Sequence, residues 1–531
     1  MSSFRFVAAL GGARGKAPRV FASSSRRPSI ALRVVAALVA LSLGGACGKA
    51  PRTNVILVVV DTLRADHSVT SATRAATPAL DALAADGVRF TEAFSPIPMT
   101  LPAHAALFSA RTSREIGVRI DGERLPADVP LLAQWMTQHG YASFAAVSLA
   151  ALRPQEPGSD LARGFERFEY DPTRECEDAP TMKQRFDALL ASRPIDRPLF
   201  LFAHMSDPHE PYDAVGAARV KATALLDGRD FATLDLAQYA PVEIELELAP
   251  GAHVLTIDAA IGFRLRKCEI TAPSGALESR LSSSVSSDGA QHVEAEFALV
   301  GASAQRCKVR VWAQQTLTPE LAAHRYALEV ERVDRTLAEF FAGLRAAGLY
   351  DESLIVLTSD HGEALGEQGV VGHVVNLRDE MLRVPLIVKT PKDDPARARL
   401  AAHASELVRL TDIAPTVLAL LDLPPLPGAS GRSLLDGGVR ELLAETHTPL
   451  APDELLCLRD LRFKLIYDVA RERFEMFDVL VNPQESGDVF AQRGDERAEW
   501  QTRLRELGRA LTKTRTEPTA ETLRALRSLG Y

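Results

Sequence analysis

Val55-Ile56-Leu57-Val58-Val59-Val60-Asp61 is an unbroken aliphatic run that stops on a carboxylate. A strand with one face in water alternates apolar and polar residues. A continuous, mostly β-branched run is what a strand needs when both faces of a parallel sheet are covered. Two later stretches repeat the design. Leu199-Phe200-Leu201-Phe202 runs into Ala203-His204-Met205-Ser206-Asp207-Pro208-His209, and Leu354-Ile355-Val356-Leu357 runs into Thr358-Ser359-Asp360-His361-Gly362-Glu363. Helical patterns separate them. Thr77-Pro78 opens one, with Thr as N-cap and Pro at the first position, and Gly87 closes it. Val330, Val333, Leu337, Phe340, Phe341 and Leu344 form an apolar stripe at helical spacing that ends at Gly348. Strands alternating with helices predict an α/β sheet, where ligands bind beyond the carboxyl ends of strands. Each polar cluster falls at such an end.

Taken singly, an Asp after a strand is most often a turn or cap residue. Three clusters at three strand ends, with Asp61, Asp360 and His361 among them, point instead to a shared cation. Carboxylates and imidazole without thiolates suit Ca, Mg, Mn or Zn, with Zn favoured as imidazoles accumulate.

Composition narrows the class. The chain has 531 residues, room for roughly three or four domains at about 150 residues each. Hydrophobic content of 46% with 24% charged residues is ordinary for a globular protein and argues against wholesale disorder. A net charge of −8 speaks against a nucleic-acid partner, which would call for a basic field. Five cysteines are too few for a disulfide scaffold, and without a CxxC pair they argue against a thiolate zinc site. Arg26, Arg27 and Arg33 flank the short apolar run Val34–Leu43, which ends in Gly44-Gly45-Ala46-Cys47. That pattern predicts an export signal over residues 1–52, resembling a bacterial lipoprotein signal with Cys47 as the lipidated residue. The expected location is the cell envelope or periplasm of a bacterium. No later apolar run reaches the roughly 20 residues of a span, so the expected membrane attachment is the lipid anchor alone.

Between the first two strands lies Pro96-Ile97-Pro98-Met99-Thr100-Leu101-Pro102-Ala103-His104. Thr100 reads as a helix N-cap with Pro102 in the first turn. A hydroxyl there sits where backbone N–H groups favour an anion. With this segment the chain resembles the sulfatase family of the alkaline phosphatase superfamily. The resemblance rests on Asp61-Thr62-Leu63-Arg64, Thr100-Leu101-Pro102-Ala103-His104, Pro208-His209-Glu210-Pro211-Tyr212 and Asp360-His361-Gly362-Glu363 with Gly372-His373 and Arg383-Val384-Pro385. Asp412-Ile413-Ala414-Pro415-Thr416, Gly431-Arg432-Ser433-Leu434 and Phe463-Lys464-Leu465-Ile466-Tyr467 extend it.

The resemblance implies an alkaline-phosphatase-like α/β fold, a mostly parallel central sheet flanked by helices. It implies that Asp61, Asp360 and His361 hold a divalent metal, with Thr100 as nucleophile and further metal contact. His104 stands where many sulfatases have Arg. His209 and His373 would bind the sulfuryl or phosphoryl oxygens or assist the leaving group, with His204 and Asp207 beside them in substrate binding. His373 stands where many relatives carry Lys. Some features depart from the family. Threonine cannot be oxidised to formylglycine, the second Asp of the usual pair is Thr62, and Val147-Ser148-Leu149-Ala150 lies where many arylsulfatases have Gly-Lys-Trp-His. Thr-x-Pro-x-His is similar to the nucleophile segment of nucleotide pyrophosphatase/phosphodiesterases.

The resemblance covers residues 53–212 and 326–480; the α/β domain is expected over 53–212 and 325–400, interrupted over 213–324. There Val242–Leu248, His253–Ile257, His292–Leu299 and Lys308–Trp312 alternate at period two. They predict half-buried antiparallel strands, a small β-sandwich-like insertion. Cys268 and Cys307 are expected to pair as a disulfide in an exported protein. Residues 401–531 are expected to form a small α+β subdomain and tail. The reading is an exported, metal-dependent hydrolase of sulfate or phosphate esters acting through Thr100, on glycan or lipid-headgroup substrates. A transferase of phosphoethanolamine or phosphoglycerol type and an inactive surface-binding protein are the alternatives.

Overall fold

The computed structural model describes residues 53–68, 75–154, 160–174, 176–210, 212, 219–237, 242–259, 263–273, 275–277, 279–285, 291–315, 318–373, 376–447 and 454–514. The expected export signal and Cys47 lie outside them. The aliphatic run becomes β1 (Asn54–Val60), the middle of a seven-stranded sheet. The other strands are β2 (Val88–Phe90), β4 (Ala142–Ala146), β5 (Arg167–Glu169), β6 (Leu199–Met205), β7 (Ser353–Thr358) and β8 (Leu386–Lys389); β3 (Glu92–Phe94) lies outside this sheet. Their order is β2-β8-β7-β1-β6-β4-β5. β1 is parallel to both β7 and β6, and only β8 runs against its neighbours.

The reason for the unbroken apolar run is visible in where its side chains go. Val55, Leu57 and Val59 enter the core on one face of the sheet, and Ile56, Val58 and Val60 enter the core on the other. All six are fully buried. Burying six such side chains is worth on the order of 10 kcal/mol before chain entropy is charged.

Helices cover both faces. α1 (Pro78–Asp86) starts after Thr77, as the sequence predicts, but the Thr77 side chain makes no cap bond. Asp334 takes the Ala79 and Leu80 amides instead, at 3.0 and 2.9 Å. α2 (Thr100–Ser109) is buried along its whole length; Ala and Leu give it both high helix propensity and a smooth packing surface. α3 (Ala179–Ala191) and α4 (Pro319–Ala346) lie together over the other face, with Phe186 against Phe340. The predicted stripe from Val330 to Leu344 is the buried side of α4.

The insertion is β-structured and has its own core. One sheet orders Ser279–Val285, Gln291–Leu299, Gly251–Ala259, Arg219–Leu226 and Arg229–Ala237; the other orders Gly275–Leu277, Phe263–Ala272, Gln305–Gln315 and Val242–Leu248. The expected Cys268–Cys307 disulfide is absent, and both cysteines are free and buried. Register explains it. Cys268 faces Val311, four residues along the strand from Cys307. At about 3.3 Å per residue that offset exceeds the roughly 7 Å a disulfide can bridge.

The C-terminal part is less separate than the sequence suggests. β9 (Leu407–Arg409) pairs with β3, and α6 (Ile413–Leu420) packs into the same core as α2. Residues 401–435, expected in the C-terminal subdomain, therefore belong with the α/β domain. The matched Asp412 is structural: it accepts from Arg409 and from the Arg432 amide. The subdomain proper is a four-stranded antiparallel sheet, β10 (Leu442–His447), β11 (Glu454–Arg459), β12 (Phe463–Asp468) and β13 (Arg473–Asp478), covered by α7 (Ala498–Thr514).

Candidate active site

Because β7, β1 and β6 are neighbours, their three polar ends open on one edge of the sheet. Asp61, Asp360 and His361 are buried there, and one donor atom from each lies within 4.8 Å of the others. Both oxygens of Asp61 and Oδ2 of Asp360 have no hydrogen-bond partner among the described residues. Oδ1 of Asp360 accepts the Thr62 amide at 3.1 Å and the His361 amide at 2.9 Å. His361 Nδ1 is 3.0 Å from the Gly362 carbonyl, which places the proton on Nδ1 and leaves Nε2 with a lone pair. Burial, and then the charge of Asp360, pushes the Asp61 carboxyl well above its usual range. Two dry carboxylates with open oxygens beside a lone-pair nitrogen form a donor set that a divalent cation fits.

Gly362 is required by the close approach of the loop to the short helix α5 (Asp379–Leu382). A Cβ at Gly362 would lie 2.0 Å from the Glu380 carbonyl oxygen, and the Gly362 amide bonds the Met381 carbonyl at 2.8 Å.

Thr100 Oγ1 lies 3.5 Å from His361 Nε2 and is fully buried. Thr100 is not the N-cap predicted from sequence. Met99 occupies that position, and Thr100 is the first helical residue of α2. Asp121 takes over the capping, accepting the Leu101 amide at 2.7 Å. The cap therefore arrives from a residue that gives no local signal, and the Thr100 hydroxyl is not used by its own helix.

His104 lies one turn along α2. Its Nδ1 donates to the Thr100 carbonyl at 2.8 Å and is 3.6 Å from Asp360 Oδ2. Burial lowers its pKa to about 4, so it is neutral and does not reproduce a cationic Arg. His204 was expected in substrate binding. Its Nε2 is 3.4 Å from Asp61 Oδ2, and its Nδ1 meets Ser148 Oγ at 2.9 Å. Its ring is boxed in by His104 and Phe202. Burial lowers its pKa to about 4, so it stands beside Asp61 as a neutral ring. Asp207 is 3.5 Å from Arg332 of α4, which also pairs with Asp178, so the structure directs it toward a helix contact.

His209 and His373 do come together, with ring centroids 4.9 Å apart, and His373 is 4.6 Å from the His361 ring. Glu363, present in the sequence motif but given no role there, holds His373 Nδ1 at 3.1 Å. The two imidazoles are tuned apart. Burial alone would lower His373, but Glu363, with Asp61 and Asp121 behind it, outweighs burial and raises its pKa to about 9. Burial and the neighbouring His373 take His209 down to about 4, with its Nδ1 on the Glu210 carbonyl. Groups pushed apart in this way are the usual mark of separate acid and acceptor roles.

The family model for sulfatases matches residues 53–423. The multifunctional alkaline phosphatase superfamily protein PehA of Trinickia caryophylli is 33% identical over 106 residues, 20% of each chain. Such matches span between about a fifth and about a third of the length of the curated relatives. The structure of a protein in complex with its substrate D-glucosamine-2-N,6-O-disulfate superimposes with TM-score 0.58 at 16% identity, covering 87% of this chain and 98% of that one. The phosphonate monoester hydrolase of Agrobacterium radiobacter gives TM-score 0.57 at 18% identity, covering 88% and 99%. At these identities the structural likeness establishes the alkaline-phosphatase-like fold.

Proposed function

The chain belongs to the sulfatase family, and from that premise we propose that it hydrolyses sulfate or phosphate esters through a covalent ester on Thr100. The observation that carries the reading is the unspent Thr100 hydroxyl, 3.5 Å from His361 Nε2 and beside the open carboxylates of Asp61 and Asp360. Asp61, Asp360 and His361 would hold a divalent cation. When bound, it supplies Lewis acidity to the nucleophile and to the transferred group.

The chain's own residues supply the rest. Asp121 and His104 fix the first turn of α2 so that Thr100 faces the donor set. Thr100 gives up its proton to solvent and its Oγ1 forms a bond to sulfur or phosphorus. The bond from that atom to the ester oxygen breaks, and the leaving alcohol takes a proton from His373 Nε2. Glu363 keeps His373 charged for this step. Water then attacks the same sulfur or phosphorus, oriented by the lone pair of His209 Nε2, while His373 recovers its proton. Thr100 Oγ1 departs and takes back a proton from solvent, and the inorganic acid is released.

The side-chain chemistry favours phosphoesters. A formylglycine hydrate can shed sulfate by breaking the carbon–oxygen bond. Threonine offers no such exit, so its ester must be cleared by attack at sulfur or phosphorus. Cationic groups help that attack most when the transferred group carries more charge. Turnover of phosphodiesters or phosphomonoesters is therefore expected to exceed that of aryl sulfates. The test is a substrate panel run with Thr100→Ala, which should lose at least about 10³-fold in kcat, and acid-quench mass spectrometry for an ester on Thr100. Efficient cleavage of sulfate esters with phosphoesters untouched would reject the phosphoester preference, and full activity in Thr100→Ala would reject the nucleophile.

A further inference from the structure

We infer that Tyr326 is a positioning residue of the metal centre, whose hydroxyl clamps the Thr62–Arg64 turn and so sets the aim of Asp61 and Asp360. The inference rests on the reading of Asp61, Asp360 and His361 as cation ligands. Tyr326 comes from α4, far along the chain and on the other side of the insertion. Its hydroxyl donates to the Thr62 carbonyl at 2.7 Å and accepts the Arg64 amide at 2.8 Å. One phenol thus satisfies two backbone groups two residues apart, using both its donor and its acceptor capacity. Thr62, Arg64 and Tyr326 are all buried, so water does not stand in for it.

The turn needs holding. Thr62 has φ 57°, the left-handed region that a β-branched residue avoids. The Thr62 amide meets Asp360 Oδ1, 3.1 Å away, which fixes the rotation of the Asp360 carboxylate with Oδ2 left open, and the positive φ turns the Thr62 carbonyl to Tyr326. The next amide, Leu63, bonds Ser359 Oγ at 2.9 Å, and Ser359 Oγ donates to the His361 carbonyl at 2.6 Å. A single strained residue therefore ties the end of β1 to the end of β7. If Thr62 relaxed to negative φ, the Thr62–Leu63 peptide would turn, taking its carbonyl from Tyr326 and the Leu63 amide from Ser359 and loosening the hold of β1 on β7. Strain of this kind persists only where surrounding bonds over-determine it, and Tyr326 supplies two of them.

A plain packing role makes a different prediction. The Tyr326 ring meets His67 and Tyr212 edge-on, at 4.9 and 5.8 Å between centroids. Phe would keep those contacts and lose only the clamp. The experiment uses full-length protein stripped with chelator and titrated with Zn2+ or Mn2+ in competition with a chromophoric chelator. Tyr326→Phe should weaken the metal Kd about 10–100-fold. Phe340→Leu, a truncation in the core of the same helix, should lower Tm and leave Kd unchanged. Adding Thr62→Gly to Tyr326→Phe should restore most of the affinity, because glycine holds positive φ without a clamp. An unchanged Kd in Tyr326→Phe overturns the inference alone. So does a double variant that folds but binds no better than Tyr326→Phe. If Tyr326→Phe fails to fold, a double variant that folds and binds supports the clamp, and one that also fails to fold overturns it. Wild-type protein that takes up no stoichiometric metal overturns the reading of the site and this inference with it.

Discussion

At the residue scale the site is a balance between carboxylates and imidazoles. Asp61 and Asp360 have open oxygens in a dry setting, which a cation between them would satisfy. Asp61→Asn and Asp360→Asn are each expected to lose metal occupancy and turnover together, while the fold survives. Elemental analysis beside a kinetic assay checks this, and full metal with wild-type turnover would remove the residue from the site. The histidine pair predicts a pH limb. His373, raised to about 9 by Glu363 against the effect of burial, carries its proton below that pH and loses it above. Activity limited by a proton from His373 should therefore fall as pH rises through about 9. His373→Gln should flatten that limb and cost about 10²–10⁴-fold in kcat for poor leaving groups. An alkaline limb that persists unchanged in His373→Gln assigns it to another group. Some of this site was legible in sequence, since Asp61, Asp360 and His361 sit in short motifs at strand ends and Thr100 sits in one at a helix start. Asp121 and Tyr326 were not, because their partners are backbone groups of distant residues and leave no local pattern.

At the element scale the C-terminal sheet reaches the metal loop through α5. Lys464 of β12 is fully buried, with Nζ 2.7 Å from Asp379 Oδ1 and 2.8 Å from Glu485 Oε1. Arg459 of β11 holds the other Asp379 oxygen at 2.9 Å. α5 in turn receives the Gly362 amide next to His361. Burial works against the charge of Asp379, but Arg459 and Lys464 overcome it and hold its carboxyl far below the ordinary range. A depressed carboxylate stabilises the fold above its unfolded pKa and loses that contribution as pH falls toward its folded pKa. Asp379→Asn should therefore cost about 3–5 kcal/mol at neutral pH, since it leaves Lys464 and Arg459 short of a partner. The gap to wild type should narrow as pH falls below ~4. Denaturant titrations on both sides of that pH decide it, and a gap that does not change with pH would mean the ion cluster is not the cause. Element identity was readable wherever the apolar pattern was distinctive, as in the unbroken run of β1 and the helically spaced stripe of α4. Pairing was not. Val242–Leu248 and Gly251–Ala259 are adjacent in sequence, yet the first pairs with Gln305–Gln315 and the second with Arg219–Leu226 and Gln291–Leu299. Alternation shows which face of a strand is buried and carries no address for its neighbour.

At the scale of the whole molecule the α/β domain is interrupted and resumed. Its sheet takes β6 from before the insertion and β7 from after it, with β1 between them, so the donor set exists only when both parts have folded together. The insertion stands apart in one measurable respect. The core between its sheets is drawn only from residues of the insertion, with Ala222, Leu255, Ile270, Phe297 and Val309 among them, and shares none with the cores on either face of the central sheet. Removing it should therefore take away a whole core and leave the others intact. The cut has to respect α4. Thr318 caps that helix by accepting the Leu321 amide at 3.3 Å, and Pro319 packs against Gly366. Further along the same helix, Tyr326 reaches the metal turn. Replacing residues 219–315 with a short Gly/Ser linker keeps all three. The truncated protein is expected to unfold in a main transition close to that of wild type, to retain stoichiometric metal and to turn over a small soluble ester. Activity on large glycan substrates should fall, if the insertion helps to present them. Insoluble protein or loss of the main transition would show that the insertion completes the α/β core. Loss of metal from a folded product would place the fault in α4, because Tyr326 of that helix holds the Thr62–Arg64 turn beside the donor set.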